Sequence, residues 1–340
     1  MTATSVDRRN FLAAAGAAAA ALGLAACANP SGGAGGTNGT ASSKPRTGNG
    51  QYVEVLELTS LPYFIDHKLG MDLAARWLGV KTKFVGPSNL DLNGMISTLE
   101  QTIAQNVSGI VVVGFDPALG PAIDKAISAG IPTVTVDADV PDSKRLCFLG
   151  TGNVQAGRLG ATELVKQIGG SGKVAIVTRT GQSNLEERVR GYKEVLQSKG
   201  IDLVAVLNDD SDSNKAAAAV SATLRRVPDL SGVACVEAAG GVGAATAVKE
   251  AGKQGQVKIV SMDRDAETLQ KIKEGTIQAS VAQKSALMTF LAVTLLHSSQ
   301  TIDITITNNN KTAGVSPLPT LVDTGVELVS KSNVDDWIRR

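Results

Sequence analysis

Several polar side chains and two aromatic rings stand just beyond short apolar runs of this sequence, and together they can form many hydrogen bonds without supplying a nucleophile. They are Ser60, Tyr63 and Phe64 within Thr59-Ser60-Leu61-Pro62-Tyr63-Phe64; Asp116 within Gly114-Phe115-Asp116-Pro117; Asp137; Asn184 and then Arg188; Asp263; and Gln283. Carboxylates accept hydroxyl protons, a guanidinium donates a planar fork, an amide does both, and a ring packs on C–H surface. This inventory suits holding a polyhydroxylated neutral molecule. Asp91, Asn93 and Asp210 are further polar candidates on the same grounds. No Cys–His or Ser–His pairing is indicated, and neither His67 nor His297 has a partner at metal-ligand spacing, so neither a metal nor a cofactor is expected.

The elements that must position these groups alternate persistently. Apolar, β-branched runs predict strands at Tyr52 to Leu58, Lys81 to Val85, Gly109 to Val113, Pro132 to Val136 and Leu146 to Leu149. A second series follows at Lys173 to Thr178, Asp202 to Leu207, Gly232 to Val236, Val257 to Met262 and Ile277 to Ala282. Helix-period segments separate them, for example Asp66 to Leu78, Gln155 to Ile168, Leu185 to Ser198 and Ser285 to His297. Such alternation predicts an α/β protein with parallel sheets covered on both faces. Two series of similar rhythm favour two Rossmann-like lobes over one eight-stranded barrel. In open sheets of this kind ligands bind beyond the carboxyl ends of the strands, where the polar residues fall.

The chain has 340 residues, 43 % hydrophobic and 19 % charged, enough for two packed cores. With 33 Lys plus Arg against 32 Asp plus Glu, there is no basic footprint for nucleic acid. The amino terminus reads as an address. Arg8-Arg9-Asn10-Phe11-Leu12 precedes an Ala/Leu/Gly run to Ala26, too short and too Ala-rich for a permanent span, and Leu24-Ala25-Ala26-Cys27 resembles a lipobox. Residues 1–26 are therefore expected to be a twin-arginine lipoprotein signal, with Cys27 lipidated. The Gly/Ser/Asn-rich stretch 27–50 is expected to be a disordered tether on the outer face of the cytoplasmic membrane. Cys147 and Cys235 lie in apolar strand-like runs and read as buried thiols, a disulfide between them being the alternative.

From Tyr52 to Asp336 the sequence resembles the ribose-binding, LacI-like class of periplasmic sugar-binding proteins, the receptors of ABC importers. The markers are Ser60-Leu61-Pro62-Tyr63-Phe64, Ala129-Gly130-Ile131-Pro132 running to Asp137, Gly152-Asn153 to Ala156-Gly157, Glu187-Arg188-Val189-Arg190-Gly191-Tyr192, Val260-Ser261-Met262-Asp263, and Ile272-Lys273-Glu274-Gly275-Thr276 to Ala282-Gln283. The resemblance implies a type I periplasmic binding protein fold, with two lobes joined by three crossings and the ligand clamped between them. It implies an N-lobe of 51–151 plus 284–312 and a C-lobe of 152–283 plus 313–340. It further implies that Tyr63 and Phe64 pack on a sugar ring, that Ser60, Asp137, Arg188, Asp263 and Gln283 bind its hydroxyls, and that a monomer docks on permease subunits. One departure stands out: ribose binders carry an Asn-Asp pair where this chain has Glu237-Ala238-Ala239-Gly240-Gly241-Val242-Gly243-Ala244. A hydroxyl-reading amide is missing there, which argues against ribose itself.

Each residue also has a purely structural reading: Asp137 or Asp263 as a helix N-cap, Arg188 as a solvated helix residue, and Pro62-Tyr63-Phe64 as a helix start with a hydrophobic staple. Two other functions compete. A repressor shares the two-lobed core but needs a DNA-binding module where this chain has its signal and tether. An exported nucleotide-dependent oxidoreductase needs a GxGxxG after the first strand, which instead ends Leu58-Thr59-Ser60. A ligand sensor feeding a signalling protein would use the same cleft as a transport receptor.

Overall fold

The structure is a computed structural model that describes residues 49–338. The expected signal, the lipidation site Cys27 and the tether up to residue 48 lie outside the described residues.

The first sheet is built from β1 (Gln51–Val55), β2 (Lys81–Val85), β3 (Gly109–Val112), β4 (Thr133–Asp137) and β5 (Phe148–Gly150). Between them run α1 (Phe64–Leu78), α2 (Leu92–Ala104) and α3 (Gly120–Ser128). Then α4 (Asn153–Gln167) opens a second series: β6 (Lys173–Thr178), α5 (Ser183–Ser198), β7 (Asp202–Asn208), α6 (Ser213–Arg226), β8 (Leu230–Cys235), α7 (Gly240–Glu250), β9 (Lys258–Met262), α8 (Ala266–Glu274) and β10 (Ala279–Gln283). The chain returns through α9 (Ser285–Thr301) to β11 (Leu321–Asp323) and ends with β12 (Val326–Ser330). Two six-stranded sheets result, ordered β11-β5-β4-β3-β1-β2 and β12-β10-β9-β8-β6-β7, with β12 alone antiparallel to its neighbour. The expected fold class, two parallel-sheet α/β lobes, is what the structure has.

Strand alternation explains why both faces of each sheet are covered. In β3, Ile110 and Val112 join Met95, Leu99 and Ile123 of α2 and α3, whereas Val111 turns to Met71, Ala292 and Leu296 of α1 and α9. In the second sheet, Ile176 meets Leu164, Val189 and Leu196 of α4 and α5, and Val177 meets Val220 and Val248 of α6 and α7. The free thiols Cys147 and Cys235 are buried in different cores and are not bridged.

Three strands of chain connect the lobes, at Thr151–Gly152, at Lys284, and at Thr324–Gly325 between β11 and β12. The third crossing differs from the expected boundary at 312/313. Leu321–Asp323 pairs in parallel with Phe148–Gly150, which keeps the chain in the N-lobe until it reverses. Hydrogen bonds bind the crossings together. Asp323 Oδ1 accepts from the N–H of Gly152 at 2.9 Å and of Gly325 at 2.8 Å, and Thr324 donates its N–H and its hydroxyl to the Gly150 carbonyl.

Candidate functional site

In both sheets the strand order reverses beside the first strand of the series, at β1/β3 and at β6/β8. The loops leaving the carboxyl ends of strands at such a point diverge and leave a crevice. The two crevices face each other, and the groups beyond β1, β4, β6, β8, β9 and β10 enclose a cavity of about 50 Å³. From the N-lobe come Glu57, Tyr63, Phe64 and Asp137; from the C-lobe come Asn184, Arg188, Glu237, Asp263 and Gln283.

Local structure fixes each of these. Asp137 closes β4 with φ 65° and Asp263 follows β9 with φ 66°, the same left-handed turn at equivalent positions of the two lobes. Aspartate tolerates that conformation better than most side chains, and here it turns a carboxylate off the sheet edge into the cleft. Arg188 is carried by α5, which lies against α4 closely enough that a Cβ on Gly157 would collide with the Arg188 carbonyl and one on Gly191 with the Val154 carbonyl. Tyr63 and Phe64 stand at the start of α1, edge to face with centroids 5.2 Å apart. Beneath them His67 pairs with Glu54 at 2.5 Å, both wholly buried. Burial opposes protonation of this imidazole, but the Glu54 carboxylate, with Asp137 and Asp263 adding to it, holds the pKa above its ordinary value.

One hydrogen-bond network runs through the cavity wall. Tyr63 Oη donates to Asp137 Oδ1 at 2.7 Å; Gln283 Nε2 donates to Tyr63 Oη at 3.2 Å and to Asp263 Oδ1 at 3.0 Å. Gln283 Oε1 accepts from Arg188 Nη2 and from Thr151 Oγ1, each at 2.8 Å, so the amide is fully used. Arg188 also donates through Nε to Asn153 Oδ1 and through Nη1 to the Val236 carbonyl, both at 2.9 Å. With 2 % of its surface exposed, Arg188 is a buried organiser, not a solvated helix residue. Burial pushes Asp263 up to about 7 despite Arg188 and Gln283 beside it. Tyr63 is held well above its ordinary range by burial and by the charges of Asp137 and Asp263.

The lobes are shut on this cavity. Arg179, after β6, reaches Glu57, after β1, at 3.2 Å and lies 5.4 Å from the Phe115 ring centroid. On the hinge side Arg264 donates to both oxygens of Asp66, at 2.8 and 3.0 Å. A larger cavity of about 370 Å³ opens beside this second bridge, shares Tyr63, Asp263 and Gln283 with the first, and is walled by Ile65, Leu269 and Trp337. The polar groups converge on the smaller one.

Residues 55–300 match the family model described as "Periplasmic binding protein domain". The chain belongs to the periplasmic binding protein family. It is 30 % identical over 248 residues to the D-allose-binding periplasmic protein of Escherichia coli, covering 69 % of this chain and 80 % of that one. It is 31 % identical over 280 residues to the xylitol-binding protein of Mycolicibacterium smegmatis, covering 77 % and 72 %. Among solved structures, the arabinose-binding protein AraP from Geobacillus stearothermophilus superposes with a TM-score of 0.76 at 35 % identity, over 85 % of this chain and 99 % of that one. The resemblance read from the sequence is thus the correct family.

In this periplasmic binding protein, Tyr63, Phe64, Asp137, Asn184, Arg188, Asp263 and Gln283 line one cavity. The other expected residues lie elsewhere. Ser60 is exposed and lines an outer groove with Lys68 and Phe84, because the chain turns outward before α1. Asp91 caps α2 by accepting from the Gly94 N–H at 2.9 Å, and Asn93 is exposed on that helix. Asp116 is an N-cap too, accepting from Ala118 N–H at 2.8 Å. Asp210 is exposed and paired with Lys215 at 2.6 Å. The sequence reading missed Glu237, Asn153 and Thr151. The signal for Glu237 was its place directly after a strand, and the Ala/Gly run behind it drew attention away. Those glycines serve packing: a Cβ on Gly241 would strike Ser261, and one on Gly243 the Ser213 carbonyl.

Proposed function

We propose that this protein is the solute receptor of an ABC importer and binds a neutral sugar or sugar alcohol between its lobes. The observation that carries this reading is the network joining Asp137 and Tyr63 of one lobe to Gln283, Asp263 and Arg188 of the other. Among the described residues, no protein donor reaches the second oxygen of Asp137 or of Asp263, and two of the five Arg188 N–H groups are unused. Both carboxylates then accept hydroxyls from opposite lobes, Arg188 donates to a ring or hydroxyl oxygen, and Tyr63 and Phe64 cover a C–H face. About 50 Å³ is room for little more than a few waters, so the ligand enters an opened cleft. Only the closed form contacts the ligand from both lobes, and differential affinity therefore drives closure. The closed form docks on the permease. Family membership goes with export to the cell envelope, and we assign the twin-arginine signal and a lipid on Cys27 as the route and the anchor.

The test is a thermal-shift screen of the protein against D-ribose, D-allose, D-arabinose, D-xylose, xylitol and inositols, with NAD as control. A saturating shift with one carbohydrate that follows mass action, and is lost in Asp263→Ala, supports the reading. A response to NAD alone overturns it. Metabolic palmitate labelling that survives in Cys27→Ser overturns the anchor.

A further inference from the structure

Glu237 stands in the cavity wall, 6 % exposed, two residues past the end of β8. Its Oε2 accepts from the Ala239 N–H at 2.9 Å and its Oε1 from the Gly240 N–H at 2.6 Å, in the first turn of α7. Behind it lies Asp209, wholly buried at the end of β7. Asp209 Oδ1 accepts from the Ser211 N–H at 3.1 Å, while no donor among the described residues meets Oδ2. The two carboxyl groups are within hydrogen-bond reach of each other. Carboxylates only accept, so this contact is a bond only if one of them carries a proton. The cations nearby are engaged elsewhere: Arg179 with Glu57, Arg188 with Asn153, Val236 and Gln283, and Lys215 with Asp210.

We propose that Asp209 and Glu237 share one proton, and that this proton makes Glu237 a hydroxyl-reading group of the cleft whose contribution to ligand affinity is lost when the proton leaves. The affinity clause rests on the carbohydrate-receptor reading above.

The hydrogen-bond pattern places the proton on Asp209 Oδ2. Glu237 is the better anion, because two backbone N–H groups at a helix amino terminus hold it, whereas Asp209 Oδ2 has nothing else to bond. Donation from Asp209 fixes the Glu237 carboxylate and leaves a lone pair for the cavity. Burial and mutual repulsion raise the titration of the pair as a whole above the usual carboxylate range. The titratable neighbours only add to this. Cys235 on β8 is a buried thiol, Asp210 flanks the turn, and Glu57, Asp137 and Asp263 face the same cavity. Loss of the proton puts a second negative charge behind the wall, drives the two groups apart and misdirects Glu237. This device stands at the position where the expected amide is missing.

The test uses the full chain as wild type, Asp209→Asn and Glu237→Gln. Infrared spectra without ligand are recorded in mildly alkaline buffer, above the range near 7 where Glu57 and Asp263 titrate. A protonated-carboxyl C=O band in wild type that vanishes in each variant is the expected result. Its absence from wild type, or its persistence in both variants, overturns the shared proton. Affinity for whichever of D-ribose, D-allose, D-arabinose, D-xylose or xylitol binds wild type is then followed against pH. It should fall by up to tenfold per pH unit on the alkaline limb, the limit for one linked proton, and Asp209→Asn should lack that limb. An unchanged limb in Asp209→Asn overturns the link to binding. If none of these carbohydrates binds wild type, the receptor reading fails, and the infrared result alone decides on the proton.

Discussion

The two walls of the cleft occupy equivalent places in sheets of the same strand order, yet they are built from different chemistry. The N-lobe wall is two rings and two carboxylates at its rim: Tyr63 and Phe64 packed edge to face, Asp137 with Tyr63 as its bonded partner, and Glu57 bridged to Arg179. The C-lobe wall is a knitted polar network of Arg188, Asn153, Gln283 and Asp263, with Glu237 held beside it by two backbone N–H groups. A sugar or polyol has the same duality, an apolar face of C–H bonds and a rim of hydroxyls. The difference teaches that one lobe is built to cover a face and the other to hold a rim in fixed register. Covering tolerates adjustment. Holding a rim needs side chains already locked by their own partners.

The largest expected effect follows from removing the organiser of the rigid wall. Arg188→Ala leaves Asn153 Oδ1 and the Val236 carbonyl without the guanidinium donor and Gln283 Oε1 with Thr151 alone, and should cost several kcal/mol of unfolding free energy, at about 1–3 kcal/mol for each buried acceptor left unmatched. Urea titration measures it. Phe64→Leu on the other wall should cost far less, and equal losses would break the contrast drawn here.

Next in size is a pH effect centred on the C-lobe wall. Asp263 has its pKa raised by burial to about 7, so between the ordinary carboxylate range and 7 the native state binds more protons than the unfolded chain. Stability without ligand therefore falls as pH rises through that window, by an amount on the order of 4 kcal/mol at most. Asp263→Asn should remove that slope, as thermal midpoints measured from acid to neutral would reveal. Glu57, pushed to about 7 by burial against the pull of Arg179, adds a second slope of the same sign. A midpoint that climbs with pH over this window in wild type would contradict both.

Between these and the weakest contact lies Tyr63, which joins the walls. Tyr63→Phe keeps the ring but deletes the donor to Asp137 and the acceptor from Gln283, worth about 1–3 kcal/mol for a buried partner left unmatched. The loss should appear in carbohydrate affinity by calorimetry, with the near-ultraviolet spectrum of the rings little changed.

How far this division could be read in advance depends on the element. The inner strands β1, β3, β4, β5, β6, β8, β9 and β10 announce themselves as apolar runs because both faces of the sheets are covered there, whereas the edge strands β2 and β7 are partly exposed. Strands β11 and β12 do not: Leu321–Asp323 is three residues long and partly exposed, and only its pairing with β5 makes it a strand. Tyr63, Phe64, Asp137, Asp263 and Gln283 were legible because each stands at a strand end or at the start of the helix behind it, and Arg188 because it lies in the helix that follows β6. Asn153 and Thr151 were not, since they work through Arg188 and Gln283, and a supporting contact has no spacing rule in sequence. Ser60 misled because a polar residue after a strand points outward as readily as inward until the turn is known.

The smallest effect concerns the bridge across the mouth. Arg179 and Glu57 keep 17 % and 9 % of their side-chain surface in solvent, and a pair in that setting contributes about 1 kcal/mol or less. The bridge nonetheless exists only when the lobes are together, so even that amount shifts the closed-to-open ratio about fivefold. Glu57→Gln removes the charge and keeps the shape, and small-angle scattering without ligand should then show a larger radius of gyration. High salt should reproduce part of the change in wild type and none in the variant. The hinge-side pair of Arg264 and Asp66 has two charge-assisted bonds and lies nearer the crossings, where opening moves groups least. Asp66→Asn should therefore lower stability more than it opens the cleft. If it opens the cleft as much as Glu57→Gln does, the lobes part by a motion other than rotation about the three crossings.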